Sequence, residues 1–297
     1  MRLIREIHEA CAAAGRPAIS FEFFPPRTPE GDRSLLEATI PRLSALRPHY
    51  CSVTYGAGGS TREKTIEIVD RIQREQHLTA MMHLTCVNAT RAELRAVIDD
   101  ARSRGIENIL ALRGDPPDPT AEWKKTEGGF EYSRELVAYL RELGGFSIGT
   151  AAFPEGHIAQ KEGKHADWRF LKEKVDAGAD FVITQLFFDN DDFFEFHDHV
   201  RSLGVKVPII PGILPILSAN QTKRFVTMCG ARLPAPFLSR IEELAGDDSA
   251  VTDFGIEYAQ KQCEALLAFG VPGLHFYTLN KAHSTEQIVT NLGLIRA

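Results

Sequence analysis

The sequence has no long apolar run, no closely spaced cysteine pair and no surplus of positive charge. No stretch approaches the roughly 18 to 20 apolar residues of a membrane helix, and the charged N-terminal segment MRLIREIHEACAAAGRP is unlike a signal peptide. The five cysteines are odd in number and far apart, which indicates free thiols in a reducing cytoplasm and no metal site. A net charge of −6 gives no basis for binding nucleic acid. We therefore expect a cytoplasmic protein that has neither a membrane nor a nucleic acid as its partner.

What the sequence does contain is an alternation of two patterns. Segments rich in Val, Ile, Leu and Phe predict eight strands, at 18–24, 50–56, 80–86, 108–114, 146–154, 181–188, 206–214 and 273–280. Apolar residues at helical spacing between and after them predict helices at 33–46, 61–76, 89–105, 131–143, 166–177, 191–204, 218–230, 236–270 and 284–294.

This alternation predicts an α/β protein with a parallel sheet. Eight strand–helix units in 297 residues favour a closed (β/α)8 TIM barrel, as a single domain over residues 1–297, with its site at the C-terminal ends of the strands. An open, doubly wound sheet is the alternative. That fold usually has a glycine-rich turn after its first strand, where Pro25 and Pro26 stand here.

Polar groups recur where the predicted strands end. For any single residue a polar loop is explanation enough. For the whole set, and for Glu22, His83 and Gln185 inside apolar runs, a functional site is the stronger interpretation. In chain order, the set is Glu22, Thr54, Tyr55, His83, Arg113, Gly114, Asp115, the segment 153–157, Gln185, Asn280 and Lys281.

Eight motifs in these positions resemble the methylenetetrahydrofolate reductase family, in its short bacterial form without a regulatory domain. They are FEFFPPRT (21–28), SVTYGA (52–57), HLTC (83–86), LRGD (112–115), AAFPEGH (151–157), KVDAGADFVITQLFFD (174–189), PGILP (211–215) and HFYTLNKA (275–282). The resemblance implies FAD held at the top of the barrel, reduced by NADH or NADPH. It also implies ping-pong hydride transfer to 5,10-methylenetetrahydrofolate, giving the 5-methyl product that supplies methionine synthesis.

By the same resemblance, Glu22 is the general acid that opens the five-membered folate ring. An acid must hold its proton near neutral pH, whereas a free glutamate titrates near 4.3. We expect Phe21, Phe23, Phe24 and a stacked flavin to raise the pKa of Glu22 by disfavouring the charged form. The alternative is a structural glutamate bonded to backbone or to Arg27, and we favour catalysis.

The resemblance assigns further residues to ligands. Asp115 would lie near the flavin and the pterin, although a turn or helix cap would also explain an Asp before Pro-Pro. Gln185 would bind the pterin, and Lys281 would face the folate glutamate. The FAD site would be formed by Thr54, Tyr55, Ala57, His83, Arg113, Gly114, Asp115, Ser133, Phe153, His157, Asp167 and Lys174.

Within that FAD site, Arg113, His157 and Lys174 are the expected phosphate partners, and Asp167 would accept from a ribose hydroxyl. Lys174 could equally be a solvated side chain of its helix. The backbone of GAGGS (56–60) is a weak further candidate for a phosphate cradle.

Two positions depart from the family pattern. Phe153 stands in place of a tyrosine beside the flavin, and Ala219 in place of an aromatic residue that packs on the ligand. These departures leave room for a folate-binding subunit of a larger assembly. A folate-dependent methyl transfer without flavin is a third reading. We also expect a homo-oligomer, with 236–270 against a neighbour.

Two smaller features have simpler interpretations. His197 and His199 resemble metal ligands but are expected to face solvent on an amphipathic helix, because no second ligand cluster supports them. The acidic run DNDD (189–192) is expected to cap the N-terminus of that helix.

Overall fold

The computed structural model describes residues 1–56, 61–115 and 125–294. Its eight strands pair in parallel in chain order and close into a barrel, with β1 beside β8. The predicted TIM barrel is confirmed, and the open sheet is wrong. The strands are β1 (Ala18–Phe23), β2 (Tyr50–Val53), β3 (Ala80–Thr85), β4 (Asn108–Leu112), β5 (Ser147–Ala152), β6 (Phe181–Leu186), β7 (Ile209–Ile213) and β8 (Gly273–Tyr277).

Helices surround the barrel and close one of its ends. Among the described residues no helix is both long and apolar enough to cross a membrane. The helices are α1 (Ile4–Ala13), α2 (Pro29–Arg33), α3 (Ile40–Ser44), α4 (Arg62–Glu75), α5 (Arg91–Ser103), α6 (Ser133–Leu143), α7 (Lys164–Asp176), α8 (Asn190–Ser202), α9 (Ala219–Cys229), α10 (Ala235–Glu243), α11 (Asp248–Phe269) and α12 (His283–Asn291).

Two helical predictions differ in detail. The helix predicted at 33–46 begins earlier and passes through a π-helical stretch, Ser34–Thr39, before Pro41 at the start of α3. Proline cannot donate the hydrogen bond that would keep a regular α-helix through this point. The helix predicted at 236–270 is two helices, α10 and α11, whose break falls at Gly246 with φ +107°.

The two faces of each strand serve different layers. Phe21 and Phe23 of β1 belong to the large apolar cluster between the barrel and its helices, together with Leu35 and Leu43. Because side chains alternate along a strand, Glu22 points the other way, into the barrel. The expectation that Phe21 and Phe23 surround Glu22 is therefore wrong.

The lower half of the barrel interior is apolar and tightly filled. A Cβ added at Gly149 of β5 would lie 2.7 Å from the ring of Phe181 and 2.8 Å from Leu110 Cδ1. Contacts this close leave no room for a larger side chain. The cluster consists of Ala18, Tyr50, Met81, Leu110, Phe181, Ile183 and Ile210, with Ile4, Ile7 and Cys11 of α1.

Helix α1 closes this lower end and was not predicted. Its buried residues Ile4, Ile7 and Cys11 follow helical spacing, a signal that the sequence does contain. Two interior polar groups hold its start: Asn108 Oδ1 accepts from the Ile4 amide at 2.8 Å, and Ser147 Oγ from the Arg5 amide at 3.0 Å.

Helices α9, α10 and α11 form a smaller layer between β7 and β8. Their apolar side chains, among them Phe237, Ile241 and Val251, pack with Leu186 and Ile216 at the top of the barrel. Arg232, just before α10, joins this layer to the barrel: it donates to Asp192 on α8 and to Glu155 after β5. The insertion is thus tied to two loops at the C-terminal end of the strands.

The two predictions about α8 have opposite outcomes. Asp189 accepts from the Asp191 amide at the N-terminus of α8, so the predicted cap is confirmed. The prediction that His197 and His199 face solvent is wrong, because both are half-buried. His197 lies edge-on to Phe269 at 5.0 Å, and His199 packs on Trp168 at 5.1 Å.

Candidate active site

The C-terminal ends of β1 and β8 are tied together around one carboxylate. Thr278 Oγ1 donates to the carbonyl oxygen of Glu22 at 2.6 Å. Asn280 bonds the backbone of Phe24 twice, accepting from its amide at 2.9 Å and donating to its carbonyl oxygen at 2.7 Å. Asn280 has φ +58°, a left-handed conformation that asparagine tolerates better than most residues. This bracing fixes the backbone that carries Glu22.

The side chain of Glu22 sits in a buried polar cluster. It is 4 % exposed, and its Oε2 accepts from Ser52 Oγ at 3.2 Å on β2. His275 Nε2 on β8 lies 3.1 Å from the same oxygen, and His83 Nε2 on β3 lies 3.2 Å from it. The His83 nitrogen is not aligned for a hydrogen bond to any group that the structure describes. Three strands thus bring proton-bearing groups to one carboxylate oxygen.

The cluster reverses the expected titration of Glu22. Burial raises the pKa, but the charge of His83 and the hydrogen bond with His275 together outweigh it and lower the pKa to about 2. The predicted rise is wrong because the neighbours are imidazoles, not phenyl rings. The carboxyl is therefore ionised near neutral pH in the ligand-free protein. The alternative of an Arg27 partner is also wrong, since the partners of Glu22 are Ser52, His83 and His275.

A second cluster at the same end of the barrel is cationic. Arg113 follows β4 and His157 follows β5, while Asp167 and Lys174 lie two turns apart on the same face of α7. The Lys174 side chain is half-buried, and its ammonium donates to the carbonyl oxygen of Ala151. Burial lowers the pKa of Lys174 to about 8, with Arg113 acting in the same direction and Asp167 opposing it. The prediction that Lys174 points inward is favoured over a solvated side chain.

Burial also shifts the pKa values of two other members of this cluster, His157 and Asp167. Burial and the charge of Arg113 lower the pKa of His157, while burial raises the pKa of Asp167. Burial disfavours the charged forms of Lys174 and His157, and a ligand that brings negative charge would favour those charged forms again. This donor set fits the diphosphate of FAD, as the resemblance implies.

Further residues predicted for the FAD site lie around these clusters. Tyr55 is buried and its hydroxyl accepts from Arg62 Nε at 2.5 Å. Gly114 has φ +83°, and a Cβ there would lie 2.6 Å from Val87, so only glycine fits. Phe153 lies edge-on to His157 at 4.6 Å. Thr54 directly follows β2, and Ser133 begins α6. Ala57, with most of GAGGS, falls outside the described residues.

The residues predicted to contact the folate differ in solvent exposure. Gln185 is half-buried on β6, and its Oε1 accepts from the Leu186 amide at 2.9 Å. Asp115 and Lys281 are exposed at the ends of β4 and β8. Ala219 is 7 % exposed at the start of α9, within the apolar layer of the insertion. Their roles toward a ligand stay predictions.

Sequence reasoning missed three members of the Glu22 cluster: Ser20, Ser52 and His275. Each is fully buried on the inner face of its strand, and Ser20 Oγ lies 2.8 Å from His275 Nδ1. The signal was present as a polar residue inside each apolar run, two positions from another inward-facing residue. In the part of the chain that the structure describes, no three His, Cys, Asp or Glu side chains are arranged to hold a metal ion.

The protein is a closed TIM barrel. One end of the barrel carries a buried carboxylate–imidazole cluster and a cationic pocket. These features are typical of a barrel enzyme that performs acid–base chemistry beside an anionic ligand. Comparison with known proteins gives the family. The family model "Methylenetetrahydrofolate reductase" matches residues 6–293. The chain belongs to the methylenetetrahydrofolate reductase family of oxidoreductases.

Individual relatives agree with this membership. The chain is 41 % identical over 280 residues to 5,10-methylenetetrahydrofolate reductase of Salmonella typhimurium, covering 94 % of this chain and 92 % of the relative. It is 40 % identical to methylenetetrahydrofolate reductase (NADH) 1 of Arabidopsis thaliana, covering 99 % of this chain and 51 % of the relative. The chain thus spans about half the length of the plant relatives it matches and nearly all of the bacterial one.

A solved structure supports the fold alone. A Clostridium thermocellum protein described as binding two copies of 5-methyl-5,6,7,8-tetrahydrofolic acid superposes with a TM-score of 0.64 at 15 % identity. The superposition covers 97 % of this chain and 99 % of that protein.

Proposed function

We propose that the protein reduces 5,10-methylenetetrahydrofolate to 5-methyltetrahydrofolate with FAD as cofactor and NADH as electron donor, in a ping-pong sequence. The observation that carries the proposal is the Glu22 cluster, a buried proton-handling group at the mouth of a barrel in this family. NADH is proposed because the Arabidopsis thaliana relative carries it in its name. The product would supply methyl groups for methionine synthesis in the cytoplasm.

Bound FAD would supply the hydride carrier that links the two substrates. The chain's own part begins with binding: Arg113 and Lys174 would offer positive charge to the diphosphate, His157 would offer an N–H donor, and Asp167 would accept from a hydroxyl. The glycine at 114 lets the backbone turn tightly between β4 and the following loop. These residues would hold the cofactor at the C-terminal ends of the strands, where barrel enzymes have their active sites.

Glu22 handles the proton that ring opening of the folate requires. Ionised in the ligand-free protein, it can take up a proton when a bound ligand excludes water and raises the cost of its charge. The proton then passes from Glu22 to a ring nitrogen of the folate, whose N–H bond forms as the O–H bond breaks. The carboxylate that remains is stabilised by Ser52 and His275. Gln185, Asp115 and Lys281 are the proposed folate contacts.

The test is an anaerobic absorbance experiment on the FAD-loaded protein. The flavin is reduced with NADH, excess nicotinamide is removed, and 5,10-methylenetetrahydrofolate is added. We expect the oxidised flavin band to return, which requires both half-reactions. A repeat with NADPH ranks the two donors.

Two outcomes would replace this proposal. A protein that binds no flavin but transfers the one-carbon group would be a folate-dependent methyl-transfer enzyme. A protein that binds folate and stays reduced until another subunit is added would be a component of a larger assembly. The proposed homo-oligomer is tested separately, by light scattering of the purified chain.

A further inference from the structure

The contacts of Glu22 are distributed unequally between its two carboxylate oxygens. Ser52 Oγ, His275 Nε2 and His83 Nε2 all lie within 3.2 Å of Oε2. Among the described residues, none bonds Oε1. An oxygen that accepts hydrogen bonds is a poor place for a proton, so the proton of neutral Glu22 belongs on Oε1. Glu22 is therefore held through Oε2, while Oε1 carries the proton that can be transferred.

His275 is itself held from the opposite side. Its Nδ1 lies 2.8 Å from Ser20 Oγ, and both residues are completely buried. The single Ser20 hydroxyl proton has two acceptors, the Leu274 carbonyl oxygen at 3.4 Å and His275 Nδ1 at 2.8 Å, and the shorter contact is the stronger hydrogen bond. With that proton donated to Nδ1, the ring proton of neutral His275 is on Nε2, facing Glu22 Oε2. Ser20 therefore selects the tautomer of His275 that donates to the carboxylate.

This chain of groups resembles a serine–histidine–acid triad but cannot work as one. Ser20 lies on β1 two residues before Glu22, deeper in the barrel and without any exposed surface. No substrate can reach its hydroxyl, so a nucleophilic role is excluded. Ser20 and His275 can therefore act on a substrate only through their effect on Glu22.

We propose that Ser20 and His275 are positioning residues that hold Glu22 by Oε2, so that proton delivery to the folate takes place from Oε1. This inference deepens the proposed function and rests on it. In the step itself, the Oε1–H bond breaks and an N–H bond forms on the folate. The negative charge left on the carboxylate is met by the hydrogen bond from His275 Nε2, and solvent returns the proton between turnovers.

Other ionisable groups around Glu22 are accounted for. His83 on β3 approaches Oε2 without hydrogen-bond alignment. Tyr277 on β8 lies 5.4 Å from the His275 ring, and its hydroxyl donates to the carbonyl oxygen of Thr184 at 2.6 Å. Of the ionisable residues that the structure describes, only His275 both bonds Oε2 and is fixed on its far side by a second side chain.

The experiment compares His275→Leu, which removes the donor, with His275→Gln, whose amide restores an N–H near the position of Nε2. The two half-reactions are measured separately in single turnover. We expect His275→Leu to slow folate reduction by about tenfold or more, while flavin reduction by NADH changes less than about twofold. His275→Gln should recover most of the loss. His8→Leu is the matched control, because His8 is also a buried histidine but lies on α1.

A second readout needs neither flavin nor activity. The carboxyl ¹³C resonance of Glu22, assigned with Glu22→Gln, is followed against pH in the ligand-free protein. Losing the His275 donor should move the Glu22 titration to higher pH, and Ser20→Ala, which keeps His275 in place, should move it in the same direction by less.

Three results would overturn the inference: an unchanged Glu22 titration in both the His275→Leu and Ser20→Ala proteins, equal loss of both half-reactions, or the same effect from His8→Leu. If His275→Leu does not fold, Ser20→Ala decides alone. If the unmodified protein does not reduce the folate, the proposed function fails, and the carboxyl titration still tests how Glu22 is held.

Discussion

The two halves of the barrel interior are built from the same strands and have opposite chemistry. The lower half, closed by α1, is filled by Tyr50, Met81, Phe181 and other apolar groups packed without spare room. The upper half holds Glu22 and its imidazole and hydroxyl partners. The change takes place within two residues on β1, from Ala18 in the apolar layer to Ser20 in the polar cluster. A rigid lower layer lets the upper layer hold charged groups in fixed positions.

The largest expected effect is on the chemistry of the upper half. Glu22→Gln keeps the shape of the side chain but removes its proton, so folate reduction should fall by roughly 10²- to 10⁴-fold. Flavin reduction by NADH should remain nearly intact, because that half-reaction needs no proton from Glu22. Stopped-flow absorbance separates the two steps, and equal loss of both would remove the assignment of Glu22.

A change in packing in the lower half should reduce the stability of the protein. Phe181→Ala leaves a cavity among fully buried neighbours and should lower the free energy of unfolding by about 3–5 kcal/mol. Phe170→Ala, on the exposed face of α7, is the control and should cost less than about 0.5 kcal/mol. Urea unfolding measures both. A Phe181→Ala protein as stable as the control would mean that the lower layer is not the rigid support described.

Acid should weaken the upper half selectively. The pKa of Glu22 is about 2 in the folded protein, below its ordinary value of 4.5. Its ionised form therefore contributes stability at neutral pH that is lost as the pH falls from about 4.5 towards 2, on the order of 3 kcal/mol. Unfolding of the original and Glu22→Gln proteins is compared across this range, with Glu142→Gln as a surface control. A difference that stays constant with pH would contradict the lowered pKa.

The smallest effect concerns the cationic pocket beside the upper layer. Lys174→Met removes an inward-pointing charge and should weaken FAD binding by about tenfold, or roughly 1.4 kcal/mol. Lys172→Met lies on the same helix, where its ammonium pairs with Asp176, and should leave FAD binding unchanged. Flavin fluorescence titration gives both dissociation constants. Equal affinities of the two variants for FAD would mean that Lys174 does not contact the diphosphate.

The eight-stranded barrel could be predicted because period and composition report burial directly. Runs such as the one around Phe181 and Val182 are apolar on both faces, as strands covered by helices must be. Helix α1 was not predicted: its apolar spacing is regular, but its 10 residues fall short of the window of about 11 to 18 residues over which helical periodicity is a strong signal. That residues 1–297 form one catalytic domain stays a prediction.

The candidate site was predictable in its membership but not in its electrostatics. Glu22 and His83 were found from polar residues inside apolar runs. Their proximity to Ser52 and His275 depends on the register in which β1, β2, β3 and β8 pair. The sequence of any one strand does not determine that register. The direction of the Glu22 pKa was therefore predicted wrongly, from the neighbours in sequence, Phe21 and Phe23, which face the helices instead.

Pairing between β1 and β8 has a consequence for how the protein acquires its activity. Glu22 and His275 stand 253 positions apart in the chain and meet only when the last strand docks beside the first. Closing so long a loop is entropically costly and slow compared with local folding. A chain still emerging from the ribosome, or one halted before β8, therefore has no His275 contact to anchor Glu22. Recovery of the low Glu22 titration during refolding would time the closure of the barrel.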